Sequence, residues 1–408
     1  MAKDCDVLIV GGGLNGPVLA LALAQGGISS LVLDARPAEV RADPEFDGRA
    51  YALALASRRM LEALGLWPGI APKAQAISEI RISQGRAGEG AGRFWLHFDG
   101  NEIDEGPMGH IVEDRFLRAA IAAAVEAEPL VGTRNGVAVV GQATGSGRAN
   151  VTLADGAELS GALLVACDGR DSQVARRAGI ARRGRGYGQS SLVCAIEHER
   201  PHRGIAHQFF MPAGPLAILP LPGNRSSIVW TETTERAAAI SRLDAAGYLA
   251  ELRPRFGDFL GEIGLAGGRY SYPLALSLAE RLTDARLALV GDAAHGIHPL
   301  AGQGLNLGLR DVATLAEVLV TAHRRGEDIG AADVLARYAR WRRFDITAMA
   351  AMTDGLNRLF SNDNPLLRLG RGLGLAAVAR LPALRRTLIA EAAGATGDLP
   401  VLLRGRPL

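Results

Sequence analysis

Gly11, Gly13 and Gly16 occupy the run GGGLNG at the spacing G-x-G-x-x-G. In that pattern the first glycine permits a tight turn, the second lets backbone approach a pyrophosphate, and the third lets a helix pack close to a strand. The amides that open such a helix are unpaired and sit at the positive end of its dipole, which favours phosphate. Asp34 stands where a carboxylate can accept both hydroxyls of an adenosine ribose. The pattern alone is a weak signal, and its neighbours decide it. Residues 5–10 (CDVLIV) read as a buried strand, 17–25 as a helix ended by Gly26-Gly27, and 30–33 (SLVL) as a second strand leading to Asp34. That βαβ order is the context the pattern requires.

Two later stretches carry similar chemistry. Residues 165–172 (VACDGRDS) put Asp168-Gly169 at the end of a strand, and 287–290 (LALV) runs into Gly291-Asp292. Open α/β sheets bind ligands at such strand ends. An N-cap of a short helix is the other role open to Asp292, and the two are compatible. In 299–306 (PLAGQGLN), Pro299 precedes a helix start in which Gly302, Gln303, Gly304, Leu305 and Asn306 can turn backbone amides on an anion at close range. His295 and His298 flank this turn without the further ligands a metal would need, so packing or hydrogen bonding is expected of them. Cys5, Cys167 and Cys194 are isolated, which disfavours a disulfide scaffold, a zinc ribbon and a dithiol centre and fits a reducing compartment. Cys167 reads as a small strand residue rather than a reactive thiol.

The elements that must hold these groups follow from pattern. Residues 57–66 read as an amphipathic helix with Ser57 as N-cap, 77–83 and 93–98 as strands, and 114–127 as a helix. Strands are expected at 136–140, 149–154 and 159–166, with Asp155-Gly156 turning the last two into a hairpin. The run 137–147 (VAVVGQATGSG) looks like a second glycine fingerprint, but the alternating RANVTL that follows makes it a hairpin. Residues 187–274 are β-rich around a helical insert at 237–260, and helices dominate from Gln303 onward.

Composition removes several classes. With 408 residues, 48% of them hydrophobic and 22% charged, the chain is long enough and apolar enough to bury a large core. A net charge of +2 is too balanced for a general nucleic-acid binder. All but two of the 45 cationic residues are arginine, and neither Lys3 nor Lys73 has an apolar context that would make a Schiff-base amine. Only four residues precede the first strand, which leaves no room for a signal peptide, and the early apolar run 17–24 is too short to span a bilayer.

Taken with FDGRAYALA around Arg49, Glu113-Asp114-Arg115 before a helix, VGDAAHGIHPLAGQGLNLGLRD, FSNDNPLLRLGRGLGL and GDLPVLLRG, these motifs resemble the group A flavoprotein monooxygenases, and most closely the ubiquinone-biosynthesis hydroxylases. The resemblance covers nearly the whole chain. It implies an α/β fold with a Rossmann-like FAD-binding domain of the para-hydroxybenzoate hydroxylase type, an interleaved β-rich substrate domain and C-terminal helices. The boundaries expected are 1–72, 108–180 and 273–340 for the FAD-binding domain, 73–107 and 181–272 for the substrate domain, and 341–408 for the helical region. The implied cofactor residues are Gly11, Gly13, Gly16, Asp34, Arg49, Arg115, Asp168, Gly169, Asp292, Pro299, Gly302, Gln303, Gly304, Leu305 and Asn306. Arg49 and Arg115 would offset pyrophosphate charge, although a salt bridge is the plain alternative for each. The 302–306 amides would meet the charge that reduction leaves on the flavin edge, with Pro299 beside the reactive ring carbon.

The activity implied is hydroxylation of an aromatic ring, a polyprenylated phenol of ubiquinone biosynthesis, with FAD bound, NADH or NADPH as transient electron donor and O2 as co-substrate. No acid–base residue is identifiable. Phe209, Phe210 and Trp230 are candidates for the substrate face, with core packing the stronger expectation for each. A flavin-dependent reductase of an isoprenoid and a non-catalytic flavin-binding subunit of a biosynthetic complex remain open alternatives. The stretch 355–408 carries eight arginines against three carboxylates, which suits either a packed helical face or peripheral contact with an anionic inner membrane from the cytoplasm. A homo-oligomer or a quinone-biosynthesis complex is compatible with the resemblance.

Overall fold

Strand Val7–Val10 is buried at every position because it is flanked on both edges and covered on both faces. It pairs in parallel with Ser30–Asp34 on one side and Leu163–Ala166 on the other. The full sheet has six strands in the order Thr283–Asp284, Leu287–Leu289, Leu163–Ala166, Val7–Val10, Ser30–Asp34 and Val131–Asn135. Helices Asn15–Gln25, Asp114–Ala127 and Gln303–Arg324 contribute to the core on one face, through Val18, Leu19, Ile121, Leu315 and Leu319. On the other face Ala149, Val151 and Leu153 pack on Leu8, Val10 and Leu164. These details come from a computed structural model, which describes residues 4–41, 45, 47–102, 106–145, 147–361 and 364–408. Lys3, Phe46, Ser146, Asn362 and Asp363, used in the sequence reading, lie outside the described residues.

Several local expectations shift. The run 159–166 is two strands: Glu158–Gly161 belongs to a three-stranded antiparallel sheet with Arg148–Leu153 and Val139–Gly145, while Leu163–Ala166 joins the parallel sheet. The break falls where a Cβ on Gly161 would lie 3.1 Å from Leu8, so the chain changes sheets at a point of tight packing. Strands Val139–Gly145 and Arg148–Leu153 pair as the expected hairpin and not as a second nucleotide turn. Strand Val131–Asn135 was not anticipated; only its first residue is buried, so it lacks an apolar pattern. The helix near Ser57 runs Leu55–Ala63 with Ala54 at its N-cap, which places Ser57 inside it.

A second, eight-stranded sheet has the order His295–Gly296, Ile263–Ala279, Arg182–His198, Arg225–Thr233, Gly214–Leu221, Ile205–Met211, Glu79–Arg86 and Gly90–Asp99. The expected helical insert is two helices, Thr234–Ser241 and Ala245–Phe256, capped by the Thr233 and Asp244 side chains. They cover one sheet face, where Trp230 and Phe209 are core residues with Tyr248 and Phe256. Phe210 points to the opposite face and stacks on Phe360 with ring centres 4.0 Å apart. That face is closed by Leu375 and Ile389 of the C-terminal helices Pro365–Ala379 and Pro382–Ala392. Two strands of 17 residues, Arg182–His198 and Ile263–Ala279, run side by side from this sheet back to the parallel one. Arg182 secures the join: its guanidinium donates to the Ser277 hydroxyl at 2.8 Å and to the Asp292 carbonyl at 3.1 Å.

Candidate cofactor and active site

The three fingerprint glycines do different work. Gly11 has φ +114°, and a Cβ there would lie 2.2 Å from the Cys167 carbonyl oxygen. A Cβ on Gly16 would lie 2.0 Å from the Gly11 carbonyl oxygen. Both positions are therefore fixed by packing within the protein. A Cβ on Gly13 would meet nothing within 4 Å, so this is the glycine with an open face. Asp34 closes the turn, accepting the Gly12 amide at 2.6 Å and the Arg36 amide at 2.7 Å. A carboxylate has about four lone-pair sites, so this tie is compatible with ribose hydroxyls.

Beside Gly12 and Gly13 opens a cleft of about 700 Å³, lined by Arg115, Phe116, Thr133 and Asn135 among others. That size is in the range of small-molecule and cofactor sites. Arg115 lies over the Phe116 ring and donates to Glu113 at 2.8 Å, while the other Glu113 oxygen accepts from Arg225 at 2.8 Å. Arg49 does not line this cleft. Its guanidinium meets Asp47 at 2.5 Å and Asp114 at 3.4 Å and lies over Tyr270. Each arginine thus has a carboxylate partner inside the protein.

The other turns arrive at neighbouring strand ends. Asp168 accepts the Gln173 and Val174 amides through one oxygen, at 2.9 and 3.2 Å, and its second oxygen is buried without a protein partner. Gly169 follows with φ +83°. Arg170, which the sequence reading passed over, reaches Asp292 at 3.2 Å and so links the two carboxylate turns. Asp292 is not an N-cap; it lies within the single turn Gly291–Ala293, whose N-cap is Val290. Burial, and then the adjoining Asp168 carboxylate, push the Cys167 thiol far up, so it stays protonated.

Beneath Asp292 lies a buried network that sequence reading missed. Asp311 accepts the Gly291 amide at 2.9 Å, His295 Nε2 at 2.6 Å and Arg342 Nε at 2.7 Å. Burial alone would raise this carboxyl, but His295 and Arg342 hold it below the usual range. Arg342 continues to Asp345 at 2.6 Å, and Arg310 meets Asp345 at 3.0 Å. Asn15 of the glycine run fits against Gly291 and Gly308: a Cβ at either would lie 2.2 or 2.5 Å from its amide nitrogen. The fifth residue of the glycine run therefore meets the third turn and the long helix directly.

Pro299 precedes the turn Leu300–Gly302, which feeds helix Gln303–Arg324. Gly302 is left-handed at φ +65°, and a Cβ there would lie 2.9 Å from Ala52. Gly304 has nothing within 4 Å of a Cβ, so the first turn is open to close approach. The amides of Gln303, Gly304 and Leu305 belong to that turn, before the helix supplies acceptors for its N–H groups. Asn306 acts differently from its neighbours. Its side chain accepts the Ala54 amide and the Ser57 hydroxyl, at 2.9 and 2.7 Å, and donates to the Ala52 carbonyl at 2.8 Å. Its side chain is thus a tie between the helix and strand Ala50–Ala54. His298 is fully buried, and burial pushes its imidazole down to about 4, leaving it neutral at ordinary pH. Among the described residues no group of three His, Cys, Asp or Glu side chains gathers as a metal would require.

The open faces at Gly13 and Gly304, the unpartnered Asp168 oxygen and the cleft at Arg115 fit an extended dinucleotide laid from the first turn to the start of helix Gln303–Arg324.

The FAD binding domain family matches residues 4–352. The chain is 46% identical to "Ubiquinone hydroxylase UbiL" of Rhodospirillum rubrum across 100% of this chain and 94% of that protein. It is 36% identical to the Escherichia coli "3-demethoxyubiquinol 3-hydroxylase" across 96% of this chain and 99% of that protein. Among solved structures, p-nitrophenol 4-monooxygenase PnpA from Pseudomonas putida superposes with a TM-score of 0.80 at 20% identity, covering 98% of this chain and 100% of that one.

Proposed function

Because the chain belongs to the family of FAD-dependent aromatic monooxygenases that includes the ubiquinone hydroxylases, we propose that it hydroxylates a polyprenylated phenol on the way to ubiquinone, using NADH or NADPH as electron donor and O2 as oxidant. The observation that carries this reading is convergence. Turns around Gly13, Asp168, Asp292 and Gly304 meet at the ends of parallel strands, next to an eight-stranded sheet that offers a second wall.

When bound, FAD supplies the transfer of electrons from the nicotinamide donor to oxygen. The protein's part is binding, orientation and charge. The Gly12–Gly13 backbone and Asp34 hold the adenosine end, and Arg115 faces the cleft with its own charge steadied by Glu113. Asp168 and Asp292, at strand ends joined by Arg170, would serve the middle of the cofactor. Open amides at Gln303, Gly304 and Leu305 would offer the positive end of a 22-residue helix to the negative charge that develops on reduction. Pro299, which precedes that helix start, would face the same end of the cofactor. Phe360 stacked on Phe210, with Leu375 and Ile389, covers the inner face of the large sheet and excludes water from it.

A long apolar substrate supports peripheral contact with the cytoplasmic side of the inner membrane, in company with other quinone-forming enzymes. No helix among the described residues is long and apolar enough to cross a membrane. The test is chemical: lipid extracts of a strain lacking this protein should accumulate an under-hydroxylated prenyl phenol. Unchanged quinone content, with no such precursor, would exclude the pathway.

A further inference from the structure

Helix Ala332–Phe360 has an inner face set by its partners. Asn357 donates to Gln189 at 2.9 Å, Arg342 joins the Asp311 network, and Phe360 lies on Phe210. Its outer face carries exposed apolar side chains. Phe344 is 78% exposed, Met352 40%, Leu356 36% and Leu359 43%. At about 100° per residue these side chains, with Ala348, Ala351 and Gly355 among them, form one stripe roughly 22 Å long. Isolated exposed hydrophobics are ordinary, but a continuous stripe over four turns marks a contact surface.

Charge says what kind of contact. Arg340, Arg343 and Arg358 are exposed and fall along one flank of the stripe. The only carboxylates in 340–359, Asp345 and Asp354, turn aside: Asp345 meets Arg342 and Arg310, and Asp354 meets Arg185 and Arg358. An apolar band edged by arginines, with no exposed carboxylate in 340–359, is the chemistry of a helix lying on an anionic bilayer. A second copy of the chain fits less well. In an antiparallel helix pair like flanks face each other, which would set the arginine flank against itself.

We propose that the outer face of this helix, from Phe344 to Leu359, docks on an anionic lipid surface. This assigns the contact to the helix that precedes the basic tail, because the tail helices spend Leu375 and Ile389 on the sheet. Docking there holds the inner sheet face about one helix diameter from the bilayer, within reach of a ring whose prenyl tail stays in lipid. The inference rests on the proposed prenyl phenol substrate.

The test is flotation of the full-length, FAD-loaded protein with vesicles of phosphatidylcholine alone or mixed with phosphatidylglycerol. The wild type should float with the anionic vesicles, release as salt rises, and bind neutral vesicles weakly. The double variant Phe344→Glu/Met352→Glu, with unchanged FAD content and melting temperature, should bind at least roughly tenfold more weakly. Equal binding by the variant, or no wild-type binding to anionic vesicles, would overturn the proposal. So would a wild-type dimer in ultracentrifugation that the variant abolishes, since it would give this face to a second copy. NAD(P)H oxidation with a short-chain, water-soluble phenol separates the two levels. Turnover without flotation removes only the docking surface, and flotation without turnover removes the hydroxylase reading.

Discussion

His295 Nε2 lies 2.6 Å from Asp311 Oδ2, and the same oxygen accepts the Gly291 amide at 2.9 Å. One buried carboxylate thus grips both ends of the turn that presents Asp292. Removing one partner from a buried charge network leaves another charge uncompensated, at a cost of about 3–5 kcal/mol. Asp311→Ala should therefore lower stability by that order and weaken FAD binding, whereas removing the exposed Arg183–Glu280 pair should change stability by less than about 1 kcal/mol. Denaturant melts and FAD titrations of the two variants check this. Equal, small effects would show that Asp311 is not the anchor.

The glycines should separate by role. A methyl on Gly16 collides with the Gly11 carbonyl, so Gly16→Ala should destabilise the protein with or without cofactor. A methyl on Gly13 has room, so Gly13→Ala should leave the melting temperature of the cofactor-free protein nearly unchanged while weakening FAD binding. Thermal unfolding measured with and without FAD reads both effects.

Asn306→Ala removes the partners of the Ala54 amide and the Ala52 carbonyl at once. Leaving buried backbone groups unpaired costs about 1–3 kcal/mol each. A loss of about 2–5 kcal/mol is expected in urea unfolding, because this asparagine joins the helix to strand Ala50–Ala54.

Acid should act before the carboxylates titrate. Burial holds His110, His207 and His298 each at about 4, below the ordinary value of 6.5. Their unfolded forms bind protons first, so stability is full above about 6.5 and falls as pH drops toward 4. Asp311 extends the loss: its folded pKa is depressed, so its contribution disappears as pH falls below the ordinary aspartate value. Melting temperatures from pH 8 to 4 should decline most steeply below 6.5, and His207→Phe should flatten that decline.

The motif-bearing turns were legible because glycine and aspartate at strand ends leave a local signature. Asp34, Asp168 and Asp292 lie at or just beyond strand ends or in the turns that follow them, as their sequence contexts imply. What holds the turns was not legible. The Arg170–Asp292 and Asp311–Arg342 pairs join segments far apart in sequence, and a single chain gives no sign of which arginine meets which carboxylate. Asn306 looked like one more residue of a glycine-rich helix start until its side chain proved to be spoken for by strand Ala50–Ala54. Strand Val131–Asn135 was hidden because an edge strand with one buried residue carries no apolar pattern.

The most direct test is oxygen labelling. Purified protein containing FAD is supplied with NADH or NADPH, a prenylated phenol and ¹⁸O₂, and the product ring is examined by mass spectrometry. One ¹⁸O atom in the new hydroxyl per nicotinamide oxidised is the result expected. A product carrying oxygen from water, or a substrate reduced without any oxygen gained, would contradict it.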